Sequence, residues 1–206
     1  MPALLINVFI LIFANVTPGV SVAQESSQQL SASALKECDL GRRATDRDAR
    51  LAHFERSQAL AEHALSLNDE LADAHFARFC SLGEQLRIDG EDFSSVFGFR
   101  RVMKELDRTL ELNPDHLDAL SSKGTLLVRL PALLGGDEEK GEQMLRHVIQ
   151  RAPRAINARL SLAKTYAAHG NRQEAIALAT KALEIAQSDQ RADLIPEAQI
   201  TVSELR

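Results

Sequence analysis

A chain of 206 residues with 45% apolar and 26% charged side chains has the balance of a globular protein, long enough for one domain with an extension or for one short solenoid. A net charge of −5, no Trp and a single Tyr argue against sequence-independent nucleic-acid binding, which needs surplus Lys and Arg and aromatic platforms for bases. Two cysteines, Cys38 and Cys80, without C-x-x-C or H-x-x-x-H spacing, offer no zinc motif, so no metal and no cofactor is expected.

The chain opens with an apolar run, LLINVFILIFANV at 4–16, broken by Thr17, Pro18 and Gly19 and followed by Ser21-Val22-Ala23 before Gln24. An apolar core, a breaker and small residues three and one positions before a cut describe a secretory signal peptide over 1–23. Thirteen residues fall short of the roughly 20 that span a bilayer. No Lys or Arg precedes the run, and a retained membrane anchor is the alternative. The Gln- and Ser-rich stretch 24–33 reads as a disordered lead-in.

From residue 34 to 206 the pattern is helical throughout. Apolar residues recur at three and four positions, as in Phe99, Val102, Met103, Leu106 and Leu110, or Leu145, Val148, Ile149 and Ala152. A short helix is expected around Cys38, and another from 46 to 67. "SLND" at 66–69, "ELNP" at 111–114 and "QRAP" at 150–153 close successive helices, and Pro114 and Pro153 mark where one unit hands over to the next. Asp115 with Asp118 is placed to cap the helix that follows. The units fall near 46–69, 72–114, 117–153 and 156–187, with a closing helix over 189–206 capped by Asp189 and kinked or restarted at Pro196. Intervals of 45, 39 and 34 residues separate Asp69, Pro114, Pro153 and Gln187, which places insertions at 87–98 and 129–137.

Within 156–187, Leu162, Ala163, Tyr166, Gly170, Ala175 and Ala182 stand where two short antiparallel helices must pack very closely. That arrangement resembles a tetratricopeptide repeat, a 34-residue helix–turn–helix unit that stacks into a solenoid. Gly124, Leu127, Gly136 and Pro153 keep the pattern in the preceding unit, while Phe79 departs from it in the unit before. The resemblance implies an all-α fold, a right-handed α-solenoid. It also implies a concave partner groove at Asp73, Phe76 and Cys80; at Asp118, Ser121, Thr125 and Val128; and at Asn157, Leu160, Lys164 and Ala167. Only Asn157 and Lys164 hint at the residues that clamp a peptide carboxylate in chaperone-binding members. Residues 130–175, beginning LPALLGGDEEKGEQM, further resemble the T component family of tripartite ATP-independent periplasmic (TRAP) transporters, helical secreted proteins thought to assist a solute-binding protein. The lipid-anchoring cysteine frequent there does not appear.

Other features carry no chemistry of their own. Gly135-Gly136-Asp137 lacks the G-x-x-x-x-G-K-[ST] phosphate pattern, and Asp137, Glu138 and Glu139 complement a helix N-terminus instead. The six histidines are never at metal spacing, and no nucleophile–base motif is present. Arg100, Lys104 and Arg108 line one helix face with Arg101 beside them, a solvated stripe or a dock for an acidic partner. Phe93 and Phe97 on the longer insertion belong to an aromatic-rich core or to an apolar ligand site. Cys38 and Cys80 are either bonded in an oxidising compartment or two separate thiols. The chain is thus expected to be a non-enzymatic, exported interaction scaffold, with a protein partner, no nucleic acid, and scope for self-association. A binder of small apolar ligands near the Phe-rich insertion is the alternative.

Overall fold

The computed structural model describes residues 20–88 and 96–206; the apolar run at 4–16 lies outside them, as does most of the longer insertion. Nine α-helices follow one another among these residues: α1 (Val20–Arg43), α2 (Arg47–Leu67), α3 (Ala72–Ile88), α4 (Val96–Leu112), α5 (Leu117–Arg129), α6 (Glu138–Arg151), α7 (Ile156–Ala168), α8 (Arg172–Ser188) and α9 (Ile195–Leu205), with one 3-10 turn, Ala132–Leu134, between α5 and α6. Consecutive helices pack as antiparallel pairs, α1 with α2, α3 with α4, α5 with α6 and α7 with α8. Odd-numbered helices also touch one another, α1 with α3, α5 with α7 and α7 with α9, and so form the inner layer of an all-α solenoid.

Small residues set the spacing within pairs. Gly124 of α5 and Gly141 of α6 face each other so closely that a Cβ on Gly124 would lie 3.0 Å from the Gly141 carbonyl oxygen and 3.0 Å from Leu145 Cγ. In the next pair Ala163, Ala175, Ala179 and Ala182 are fully buried, with Leu162 beside them and Tyr166 packed at the edge. Gly170 closes the α7–α8 turn at φ +79°, a left-handed conformation that glycine adopts without a Cβ clash. The repeat-packing positions Gly124, Leu162, Ala163, Ala175 and Ala182 therefore lie where the helices meet. Gly136 does not sit between helices; a Cβ there would fall 1.7 Å from the Leu130 carbonyl oxygen, in the loop that enters α6.

Several boundaries differ from the sequence expectation. Residues 24–33 are helical, not a disordered lead-in. They form the first half of α1, whose Ser27, Ser31, Ala34 and Cys38 are buried. Ser and Gln are weak as a hydrophobic signal, yet α2 packs on them, and the Ser57 hydroxyl donates to the Ala34 carbonyl at 2.9 Å. The first helix pair is therefore α1–α2, and the unit near 46–69 is its second half. The cap of α5 is His116, whose Nδ1 accepts the Ala119 N–H at 3.2 Å, rather than Asp115. Asp189 ends α8 instead of starting the closing helix, which begins at Ile195 with Pro196 in its first turn. Asp46 and Asp137 cap α2 and α6 through the N–H groups of Ala49 at 2.8 Å and Lys140 at 3.1 Å.

Cys38 on α1 and Cys80 on α3 are joined as a disulfide with Cα atoms 6.5 Å apart, buried against Phe54. The bond closes a chain separation of 42 residues, and removing it is expected to cost about 4 kcal/mol by loop-closure entropy. Thermal melts with and without reductant check this: a melting temperature unchanged on reduction would show that α1 holds without the bond.

Candidate functional site

The candidate site lies in the second half of the array. It is a recess of about 420 Å³ where α5, the α6–α7 turn, the start of α7 and the α8–α9 turn converge, with Arg43 at the end of α1 on its border. Its floor is apolar, from Leu117, Val148, Ile156 and Leu194. Asp118 and Ser121 project from successive turns of α5, and Asn157 from the first turn of α7. Asp118 and Asn157 are exposed, and none of the three has a hydrogen-bond partner among the described residues.

Three arginines border the recess, and each is already neutralised. Arg43 donates to Asp39 at 2.8 Å, Arg154 Nε donates to Asp189 at 3.0 Å, and Arg191 donates to Asp193 at 2.9 and 2.7 Å. The Arg154 hydrogen bond holds the Asp189 carboxyl below its ordinary range. Burial alone would push Asp193 up, but the Arg191 hydrogen bonds outweigh it and the carboxyl lies below its ordinary range. With the arginines held in ion pairs, Asp118 is left as the one unpaired charge among the lining residues, beside the neutral Ser121 and Asn157. Such a surface suits a neutral hydrogen-bonding ligand better than an anion.

Of the groove positions inferred from the repeat resemblance, Asp118, Ser121 and Asn157 come together here. The others do not. Phe76 is buried, its ring stacked 5.6 Å from Phe79 and 4.7 Å from the His116 imidazole. Cys80 is in the disulfide, and Leu160 is 2% exposed in the cluster shared by α7, α8 and α9. Val128 faces α6, close to Gly141. Each of these is taken up by contacts with an adjacent helix and so is closed to a partner. Asp73 accepts from His116 at 3.2 Å, which holds its carboxyl low despite burial; Thr125 pairs with Ser161 at 2.8 Å, and Lys164 with Glu197 at 2.6 Å. Ala167 is half-buried in the α7–α8 core.

Arg43, Arg154 and Arg191 went unsignalled because they sit at helix ends and turns, where no periodicity operates. Arg154 follows Pro153 at a repeat junction, and that position is the one clue the chain offered. Glu138 and Glu142, one turn apart on α6, and His169 at the end of α7 bring ligand atoms within 4.8 Å of one another. Glu142 is held by Arg146 at 2.6 Å and His169 by Glu138 at 2.8 Å, so each member already has a protein partner. In the basic stripe, Arg101 reaches Glu62 at 3.8 Å and Arg108 reaches Glu111 at 3.2 Å. Phe93 lies outside the described residues, and so does the side chain of Phe97.

No family model matches the chain, and no curated protein sequence matches it. Among solved structures it is similar to TTC0263, a thermophilic tetratricopeptide repeat protein of Thermus thermophilus, with 18% identity over 87% of this chain and 98% of that one, at a TM-score of 0.53. MamA from Desulfovibrio magneticus RS-1 aligns over 89% of this chain and 93% of its own at 14% identity and a TM-score of 0.49. The fold is thus an all-α solenoid of the tetratricopeptide kind.

Away from the residues that line the recess, His75 of α3 is buried with Nδ1 2.7 Å from Glu105 of α4 and Nε2 3.0 Å from the Asp69 carbonyl. Both ring nitrogens face acceptors, which suits the doubly protonated ring. Burial alone would lower His75, but these bonds outweigh it and raise it above 6.5. Burial would likewise raise Glu105, but His75 and Arg78 bring it below 4.5. The raised His75 contributes stability below pH 6.5 that is lost as pH climbs through its folded value, and the depressed Glu105 contributes stability above 4.5 that is lost on acidification. Urea midpoints are expected to fall between about pH 5.5 and pH 8, with Glu105→Gln flattening that slope; an unchanged slope in the variant would clear this pair of responsibility.

Proposed function

We propose that the chain is a non-catalytic interaction scaffold, exported from the cytoplasm, that holds an extended polypeptide segment of a protein partner in its inner-face recess. The observation that carries the reading is the trio Asp118, Ser121 and Asn157, unpaired and gathered over an apolar floor. A carboxylate accepts backbone N–H groups, a carboxamide pairs with both halves of a peptide unit, and a hydroxyl does either. Together they match the repeating polarity of an extended main chain, while the apolar floor accepts a side chain.

Export is supported by the apolar run at 4–16 with Ser21-Val22-Ala23, and by the Cys38–Cys80 disulfide, a bond that persists in oxidising compartments. The resemblance of residues 130–175 to the TRAP transporter T component adds the narrower reading that the partner is a periplasmic solute-binding protein. Intact-mass measurement of the exported form is expected to place its first residue at Gln24; a mass that retains residues 1–23 would favour the membrane anchor.

The recess reading is tested by titrating the exported chain with a periplasmic solute-binding protein of the TRAP type. The double substitution Asp118→Ala with Asn157→Ala is expected to remove about 1–3 kcal/mol, a weakening of roughly fivefold or more. The melting temperature should stay near that of the parent, since neither side chain has a partner among the described residues. Equal affinity in parent and double variant would move the binding surface elsewhere.

A further inference from the structure

The 3-10 turn between α5 and α6 displays two leucines: Leu133 is 95% exposed and Leu134 62%. Their exposure is built into the backbone. The Leu134 and Gly136 N–H groups both donate to the Pro131 carbonyl, at 2.8 and 3.1 Å, and the Asp137 N–H donates to the Leu127 carbonyl at 3.1 Å. The seat of Gly136 against the Leu130 carbonyl leaves no room for any side chain there. An apolar knuckle tethered in this way loses little conformational freedom when something covers it. Three acids follow it, and none faces a Lys or Arg among the described residues: Asp137 caps α6, Glu138 faces His169, and Glu139 accepts from Gln143 at 3.4 Å.

The converse surface lies on α4. Phe99 and Met103, both partly exposed, floor an open depression of about 450 Å³ on that helix. Beside them stand the exposed Arg100 and Lys104; Lys104 acts through space on Glu105, and neither makes a hydrogen bond or close ion pair among the described residues. At the far end of the depression Asp107 and Arg108 are occupied by Lys123 and Glu111. An apolar protrusion with an acidic rim and an apolar depression with a basic rim thus stand on different elements of one chain.

We propose that the chain associates with itself head to tail, the Leu133–Leu134 knuckle of one copy seated over Phe99 and Met103 of the next. Glu138 and Glu139 then approach Arg100 and Lys104. Because the two surfaces differ, the contact is heterologous: every copy offers one of each, and the assembly either closes into a ring or continues as an open filament. A contact centred on two leucines and a few charges belongs to the small, salt-sensitive class. Neither surface shares a residue with the recess, so this inference stands apart from the proposed partner site.

Sedimentation velocity of the full chain over about a hundredfold concentration range, at low and high salt, tests it. Association is expected to grow with concentration and to weaken with salt. Leu133→Ser with Leu134→Ser, and separately Arg100→Glu with Lys104→Glu, are each expected to weaken it at least about tenfold. The decisive arm mixes the two variants. One keeps an intact depression and the other an intact knuckle, so the mixture is expected to form a 1:1 complex that grows no further. Matched melting temperatures show that both variants are folded. A parent chain that is monomeric throughout, association that survives either pair of substitutions, or a mixture no more associated than its components would overturn the proposal.

Discussion

The bond between Cys38 and Cys80 ties the first helix into the solenoid. It holds α1 against α3 over a buried contact with Phe54. The recess with the unpaired polar trio lies in the second half of the array, at α5, α7 and the α8–α9 turn, and Arg43 at the end of the same α1 reaches its border. The helix held by the covalent link thus also supplies an edge of a recess formed mostly by the second half.

Around that link the fold is built from repeated close approach. Gly124 against Gly141, and the alanines of α7 and α8, let paired helices pack at a distance that larger side chains would not permit. Such positions carry little hydrophobic surface each, so their contribution is geometric: they fix the helix spacing, and the leucines between them supply the buried area.

The helical class, the pair-by-pair organisation and the close contacts of residues 124–187 were legible because periodicity and small-residue placement are local signals. The start of α1 was not. Its Ser27 and Ser31 are buried by α2, and a serine gives no sign in sequence that a neighbour will cover it. The groove was legible in part. Asp118, Ser121 and Asn157 fell where the repeat pattern puts them, but Phe76, Cys80 and Leu160 turned inward because flanking helices bury them. The arginines of the recess come from turns, which are brought together only by the superhelical path of the whole array.

The junction between α4 and α5 has a character of its own. These two helices share far less contact than the partners within any pair. What crosses the junction is mixed: Leu106 and Leu110 of α4 share apolar clusters with Ala119 and Leu120 of α5, and beside them Asp73 meets His116 and Lys123 meets Asp107. In a linear array, stability divides into the intrinsic terms of each repeat and the coupling between neighbours. Here the coupling between α4 and α5 is the narrowest of those between successive helices, so a change at Leu110 or at the Lys123–Asp107 pair acts on a larger share of its junction than the same change would elsewhere.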